Sequence, residues 1–292
     1  MALGLIVFLV VVYTGGRSEI RLLLRVAGGA GVLVLVGAGI EIAGTASLLD
    51  IGWAEAVTET SAGMMRLLAG LLIALGLIDH LIPAQRLRSA AEPQPDPAAE
   101  AQVDDSGEVV RWAPSGASAL GFCGALVGAL SFGFDGHTVT EGPRVVHAVV
   151  NVVHVGAGSV WFGGVAGLAI LATIRRRTGP SVAPTIIRFS SVATVALVAV
   201  TVAGVLMSLM ITDGFGDYTS TDWGRLLILK TAAVGAVVAL GAYNHFVVVP
   251  KLELDPDAST MLRRARSTIT VEAVMLLGVA VITVFLSVAS TN

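Results

Sequence analysis

The chain has 292 residues, of which 55% are hydrophobic and 13% charged, with a mean hydropathy of +0.84 and a formal net charge of −3. Soluble domains carry roughly 25% charged residues, so the composition excludes a water-soluble globule and defines an integral membrane protein. No basic stripe suits nucleic acid, and the single cysteine, Cys123, excludes an intrachain disulfide or a cysteine-based metal cluster.

Apolar runs able to cross a hydrocarbon core of about 30 Å as helices predict an all-α polytopic membrane protein of eight transmembrane helices, built as two similar four-helix bundles. In chain order the spans are 2–14, 22–43, 64–82, 116–134, 145–174, 186–211, 225–249 and 267–288. The first is short: either Tyr13 to Gly16 complete a thin span, or the run is part of a longer helix. Nothing charged precedes Arg17 and no small-residue cleavage site follows the run, so it is read as a helix and not as a signal peptide. Residues 84–113 are rich in Pro, Ala and acid and have little apolar surface to bury, which predicts a largely disordered cytoplasmic linker. It separates membrane helices 1–3, within 1–83, from helices 4–8, within 114–292.

Lys and Arg collect on the cytoplasmic side of membrane proteins. Fourteen of the 18 here, Arg17, Arg21, Arg25, Arg86, Arg88, Arg111, Arg175, Arg176, Arg177, Arg188, Lys251, Arg263, Arg264 and Arg266, follow spans 1, 3, 5 and 7. Both termini are therefore expected outside. The outer loops hold Asp50, Glu55, Glu59, Asp135, Glu141, Asp213, Asp217 and Asp222, a field that favours an arriving cation, although topology alone also keeps arginine out of them. The halves share a pattern as well: Asp79-His80 precedes Pro83 and Asn244-His245 precedes Pro250, each at the end of a helix entered through an acidic loop. A duplicated module accounts for this, as does chance similarity between membrane helices.

Span 5 contains the segment HAVVNVVHVGAGSVWFGG. At about 100° per residue His147, Asn151, His154, Gly158 and Trp161 share a sector of roughly 80°, one polar and aromatic stripe that must face the bundle interior or a wet cavity. Gly156, Gly158, Gly163 and Gly164 offer close approach to a neighbouring helix. Three uses compete. The first is interhelical hydrogen bonding alone. The second is a haem site, but two haems near opposite leaflets need ligands about 13 residues apart on a helix, and His147 and His154 are seven apart, with His80 and His245 near the cytoplasmic ends. The third is a relay of metal stations, since seven residues span about 10 Å. Met207 and Met210 end span 6 on the outer side and Met64 and Met65 begin span 3. Thioether with imidazole suits copper, Cu(I) above all, whereas methionine is also ordinary core filler and a buried Cys123 an ordinary small hydrophobe.

The segments GH at 136–137, NVVHVGAGSVWFGG at 151–164, RFS at 188–190, STDWGRLLILK at 220–230, GAYN at 241–244, Pro250 and LRR with Glu272 resemble the CopD family of copper resistance and copper uptake proteins. The likeness is strong over 136–288 and looser before it. It implies an eight-helix protein of the bacterial cytoplasmic (inner) membrane that moves copper inward, beside or fused to a periplasmic copper donor of the CopC kind. His137, Asn151, His154, Trp161, Arg225, Lys230, Asn244 and Glu272 fall at its recurrent positions, and the resemblance makes the histidines the ligands. No CopC-like domain precedes the first span, His245 stands where the family commonly has arginine, and His147 is an addition.

No phosphate loop or Ser, His and Asp constellation is present, so neither ATP use nor hydrolysis is expected and the chain is read as no enzyme. The expected function is copper transport or handling, with copper ion as cargo. His137, Met207 and Met210 serve as capture, His147 and His154 as the path, and Asn151 and Trp161 as support. Asn244, His245 and Glu272 are either inner exit groups or a helix-end cluster in which Glu272 pairs with Arg264 or Arg266; Lys230 and Asp222 are read as structural. The alternative is a haem-binding or respiratory-oxidase-associated subunit. Expected partners are the lipid bilayer, a CopC-like donor, a second copy of the chain or oxidase-assembly proteins, and no nucleic acid.

Overall fold

The computed structural model describes residues 1–81, 111–134, 143–176, 181–211, 214 and 216–288. His137, the acidic loop around it and most of the 84–113 linker lie outside the described residues. Everything described is helix or short connection, with no β-strand, and the chain divides into two compact units, Met1–Gly136 and His137–Asn292.

In the first unit, α1 (Ala2–Val7) widens to a π-turn over Phe8–Val12 and is followed by α2 (Arg17–Leu49), α3 (Trp53–Glu59), α4 (Ser61–Gly76), α5 (Ile78–Leu81) and α6 (Ala117–Leu130), which ends in a 3-10 turn at Ser131–Phe134. α2 stops at Asp50, which takes the left-handed conformation (φ 53°) while Ile51 N–H donates to Ala46 O at 3.1 Å. Glycine lets three helices approach to backbone distance. A Cβ on Gly70 of α4 would lie 2.8 Å from Leu35 N and 3.0 Å from Gly31 O of α2. One on Gly124 of α6 would lie 2.7 Å from Ala69 O, and one on Gly76 would collide with the backbone of Gly121. Such seats replace the hydrophobic driving force that lipid removes. An intramembrane ion pair fastens α2 to α4: Arg66 Nη1 donates to both carboxylate oxygens of Glu41 at 2.8 Å, and its guanidinium lies 4.7 Å from the centre of the Phe132 ring.

The second unit has four long rods: α7 (Arg144–Ile174), α8 (Ala183–Ile211), then after the short α9 (Asp217–Ser220) the run α10 (Asp222–Tyr243), π-turn Asn244–Val248 and α11 (Val249–Leu254), and last α12 (Ser259–Val288). α7 packs on α8 and α12, α10 packs on α12, and α11 reaches α8. Successive rods run in opposite directions, which puts Arg175, Arg188, Lys251 and Arg263 to Arg266 at one end and Arg144, Met210 and Asp222 at the other. The STDWGR segment starts α10: Thr221 Oγ1 accepts from Gly224 N–H at 2.9 Å, Asp222 sits in the first turn, and Arg225 Nε donates back to Thr219 O at 3.0 Å. The π-turn precedes Pro250. Val249 N–H reaches Asn244 O, one residue farther than an α-helix would place it, so the ring that lacks an N–H is accommodated by widening the helix.

Six helices among the described residues are long and apolar enough to cross a membrane: α2, α6 with its 3-10 turn, α7, α8, α10 to α11, and α12. The pair α3 and α4, bent by 103°, raises this to seven if counted as one span, and Ala2–Val12 is shorter. Eight spans were expected; the described residues give six, or seven with the bent pair, and Ala2–Val12 is too short to count among them. Outward-facing Leu33, Val195, Val198, Val274 and Val284 are more than half exposed, the apolar belt that lipid covers.

Candidate functional site

The stripe on α7 faces inward. His147 is 1% exposed and Asn151 and Trp161 are buried, while Val145, Val146 and Val149 on the opposite face are more than half exposed. The polar residues share one face of the helix, so one rotation of α7 buries His147, Asn151 and Trp161 and half-buries His154 and Gly158.

His154 is held by α8. Its Nδ1 lies 2.9 Å from Val200 O. A carbonyl oxygen only accepts, so Nδ1 carries the proton and Nε2 keeps its lone pair. This is the tautomer of a metal-ligating histidine whose second nitrogen is anchored to backbone. The ring packs tightly over Gly204: a Cβ there would meet His154 Cε1 at 3.0 Å and Nδ1 at 3.2 Å, so the ring would have to give by a few tenths of an ångström. Gly204 carries no sequence signal beyond being a small residue in an apolar helix. The glycines of α7 divide likewise, since a Cβ on Gly164 would strike the Phe189 ring and one on Gly158 would touch Val200 at 3.6 Å, whereas Gly156 meets nothing.

Lys230, half-buried on α10, is close enough to act electrostatically on His154. Met207 and Met210 continue α8 beyond Gly204 and are half-buried; Met64 and Met65 belong to α4 of the first unit. Cys123 is exposed on α6, not a buried filler. Among the described residues no three His, Cys, Asp or Glu side chains come together as a metal cage, and within the second unit His154 turns onto α8 and His245 onto Ser190, not onto each other.

Toward the arginine-rich end a cavity of about 180 Å³ opens between α7, α8, the π-turn and α12, lined among others by Trp161, Phe189, Ser190, Asn244, His245 and Glu272. Glu272 does not pair with Arg264 or Arg266. Asn244 Nδ2 donates to its Oε2 at 3.3 Å, and Trp161 lines the same cavity. Arg266 is directed elsewhere, with Nη2 3.4 Å from Arg175 O. The reason is rotational: Glu272 lies about two turns past the arginines, on the face α12 presents to α7 and α10. Thr268 Oγ1 donates to Asn244 Oδ1 at 2.6 Å, and Ser190 Oγ lies 2.6 Å from His245 Nδ1. Thr268 and Ser190 were not among the expected site residues; Ser190 was visible only as the last residue of RFS.

Rods around a ladder of buried polar groups define a helical membrane protein with a polar interior. Residues 183–286, within the second unit, match the family described as Copper resistance protein D. The chain is 34% identical over 125 residues to the Inner membrane protein YebZ of Escherichia coli (strain K12), covering 42% of this chain and 43% of that one. It is 27% identical over 155 residues to the Copper transport protein CutJ of Bacillus subtilis (strain 168), covering 52% of this chain and 27% of CutJ. The matches thus span less than half the length of either relative. No solved structure matches significantly.

Proposed function

We propose that this protein passes copper across the bacterial cytoplasmic membrane, as a transporter and not as an enzyme. The observation that carries the reading is His154: a half-buried imidazole on an interior stripe, anchored through Nδ1 to Val200 O so that Nε2 keeps a free lone pair. Imidazole with thioether suits copper, and Cu(I) in particular. The CopD match and the name of CutJ support the same cargo, and the name of YebZ supports the membrane.

In this reading the arginine-rich end is cytoplasmic, both termini are outside, and the short helix Ala2–Val12 and the bent pair α3 and α4 complete eight spans in two four-helix bundles. His137, Met207 and Met210 take the ion from a CopC-like donor or from solution. His147 and His154 are single stations about 10 Å apart along the helix, too far for chelation and suited to stepwise passage. Asn151 and Trp161 support the stripe. Copper content of cells with and without the gene, together with Cu(I) titration of the purified protein, tests the assignment. Gene-dependent copper accumulation and stoichiometric Cu(I) binding are expected; a protein that binds no Cu(I) and leaves cellular copper unchanged overturns it.

A further inference from the structure

The cavity of the second unit holds a carboxyl group to which the stations His147 and His154 assign no role. Glu272 is 5% exposed, and the group that donates to it, the Asn244 amide, is uncharged. Thr268 fixes the amide by donating to its oxygen, which turns the NH2 toward the carboxyl. The charged and titratable groups around it lie elsewhere. On α12, Arg266 bonds Arg175 O and Arg264 is two turns away. The π-turn brings His245, which is engaged by Ser190 of α8, and α7 brings Trp161 with apolar Val165 and Leu168. Among the described residues no salt bridge reaches Glu272.

An ionised carboxylate inside a membrane with only neutral donors is costly, and a single positive charge beside it removes most of that cost. Two species can supply the charge, a proton or the cation in passage. We propose that Glu272 is a proton-binding site that exchanges against the cargo. The carboxyl holds a proton while the cavity lacks a cation and releases it when the cation enters. Glu272-COOH with Cu⁺ becomes Glu272-COO⁻ beside Cu⁺, and one H⁺ leaves; the charge is balanced and no electron moves. A cavity of about 180 Å³ has room for several waters at about 30 Å³ each, enough to carry the proton off. Glu272 acts here as a counter-charge, not as a member of a ligand cage. The inference rests on the copper reading for the identity of the cation, though not for the bound proton.

Infrared difference spectroscopy on the full chain in lipid vesicles, parent against Glu272→Gln, tests this at neutral pH before and after Cu(I) addition, with the metal content of each sample measured. The parent should show the carbonyl stretch of a protonated carboxyl that is missing from the variant and fades as copper loads. Absence of the band in the parent, or a band unchanged in a copper-loaded sample, overturns the proposal. A band in a sample that takes up no copper supports the proton site and refutes the copper reading. If Glu272→Gln does not accumulate, Asn244→Leu removes the amide that donates to the same carboxyl and should shift the band; a band that stays in place counts against the assignment.

Discussion

The imidazole of His154 lies over Gly204, with Nδ1 2.9 Å from Val200 O, so a glycine on one helix sets the position of a histidine on another. Gly204→Ala would put a methyl 3.0 Å from Cε1 and push the ring off its carbonyl. The expected result is a several-fold loss of Cu(I) affinity with about 1 to 3 kcal/mol of overpacking cost, read by Cu(I) titration and thermal unfolding in detergent. Parent-like affinity in the folded variant would mean that the anchor does not position a ligand.

Lys230 stands within electrostatic reach of His154. A positive charge there weakens the binding of a cation and favours its departure, and conduction needs stations that release what they bind. Lys230→Met should therefore tighten Cu(I) binding and slow copper uptake by cells. Unchanged affinity would return Lys230 to the structural role expected from the sequence.

The Glu41 and Arg66 pair should show strong coupling. Either Glu41→Gln or Arg66→Met strands a charge within a span and should lower stability by roughly 1 to 3 kcal/mol, below the figure for a fully buried pair because both side chains keep some exposure. The double variant should cost less than the sum of the two, as measured by a thermal double-mutant cycle. Additive losses would show that the pair is incidental.

The stripe from His147 to Trp161 was legible in the sequence because polar residues recurring at helical spacing inside an apolar run leave one arrangement of faces. What His154 touches was not legible: a bond to a backbone carbonyl leaves no mark on its partner, and Gly204 resembles many other glycines here. Glu272 misled for a related reason. Arg264 and Arg266 are its charged neighbours in sequence, yet its hydrogen-bond partner comes from the π-turn, and only tertiary packing brings Asn244 to it and Trp161 into the same cavity. The spans read well where a single helix crosses, as in the second unit. They read less well where Ala2–Val12 is short and where α3 and α4 bend at Thr60, since hydropathy averages over a break.

Orientation is open to direct measurement. Because the arginines gather at one end of the second unit, a reporter fused after Asn292 should be active only as a periplasmic type. Activity of a cytoplasmic reporter at that position would invert the assignment of inner and outer ends.

The central claim is that His154 is a copper station and not an interhelical hydrogen bond alone, and comparison of His154→Ala with His154→Gln separates the two. Gln can replace the bond to Val200 O but is a poor Cu(I) ligand. Cellular copper accumulation, normalised to the amount of folded protein, should fall toward the level of the gene deletion in both variants, while only the Ala variant loses stability, by about 1 kcal/mol. Copper accumulation at the parent level in His154→Gln would contradict the account and leave His154 with a purely structural role.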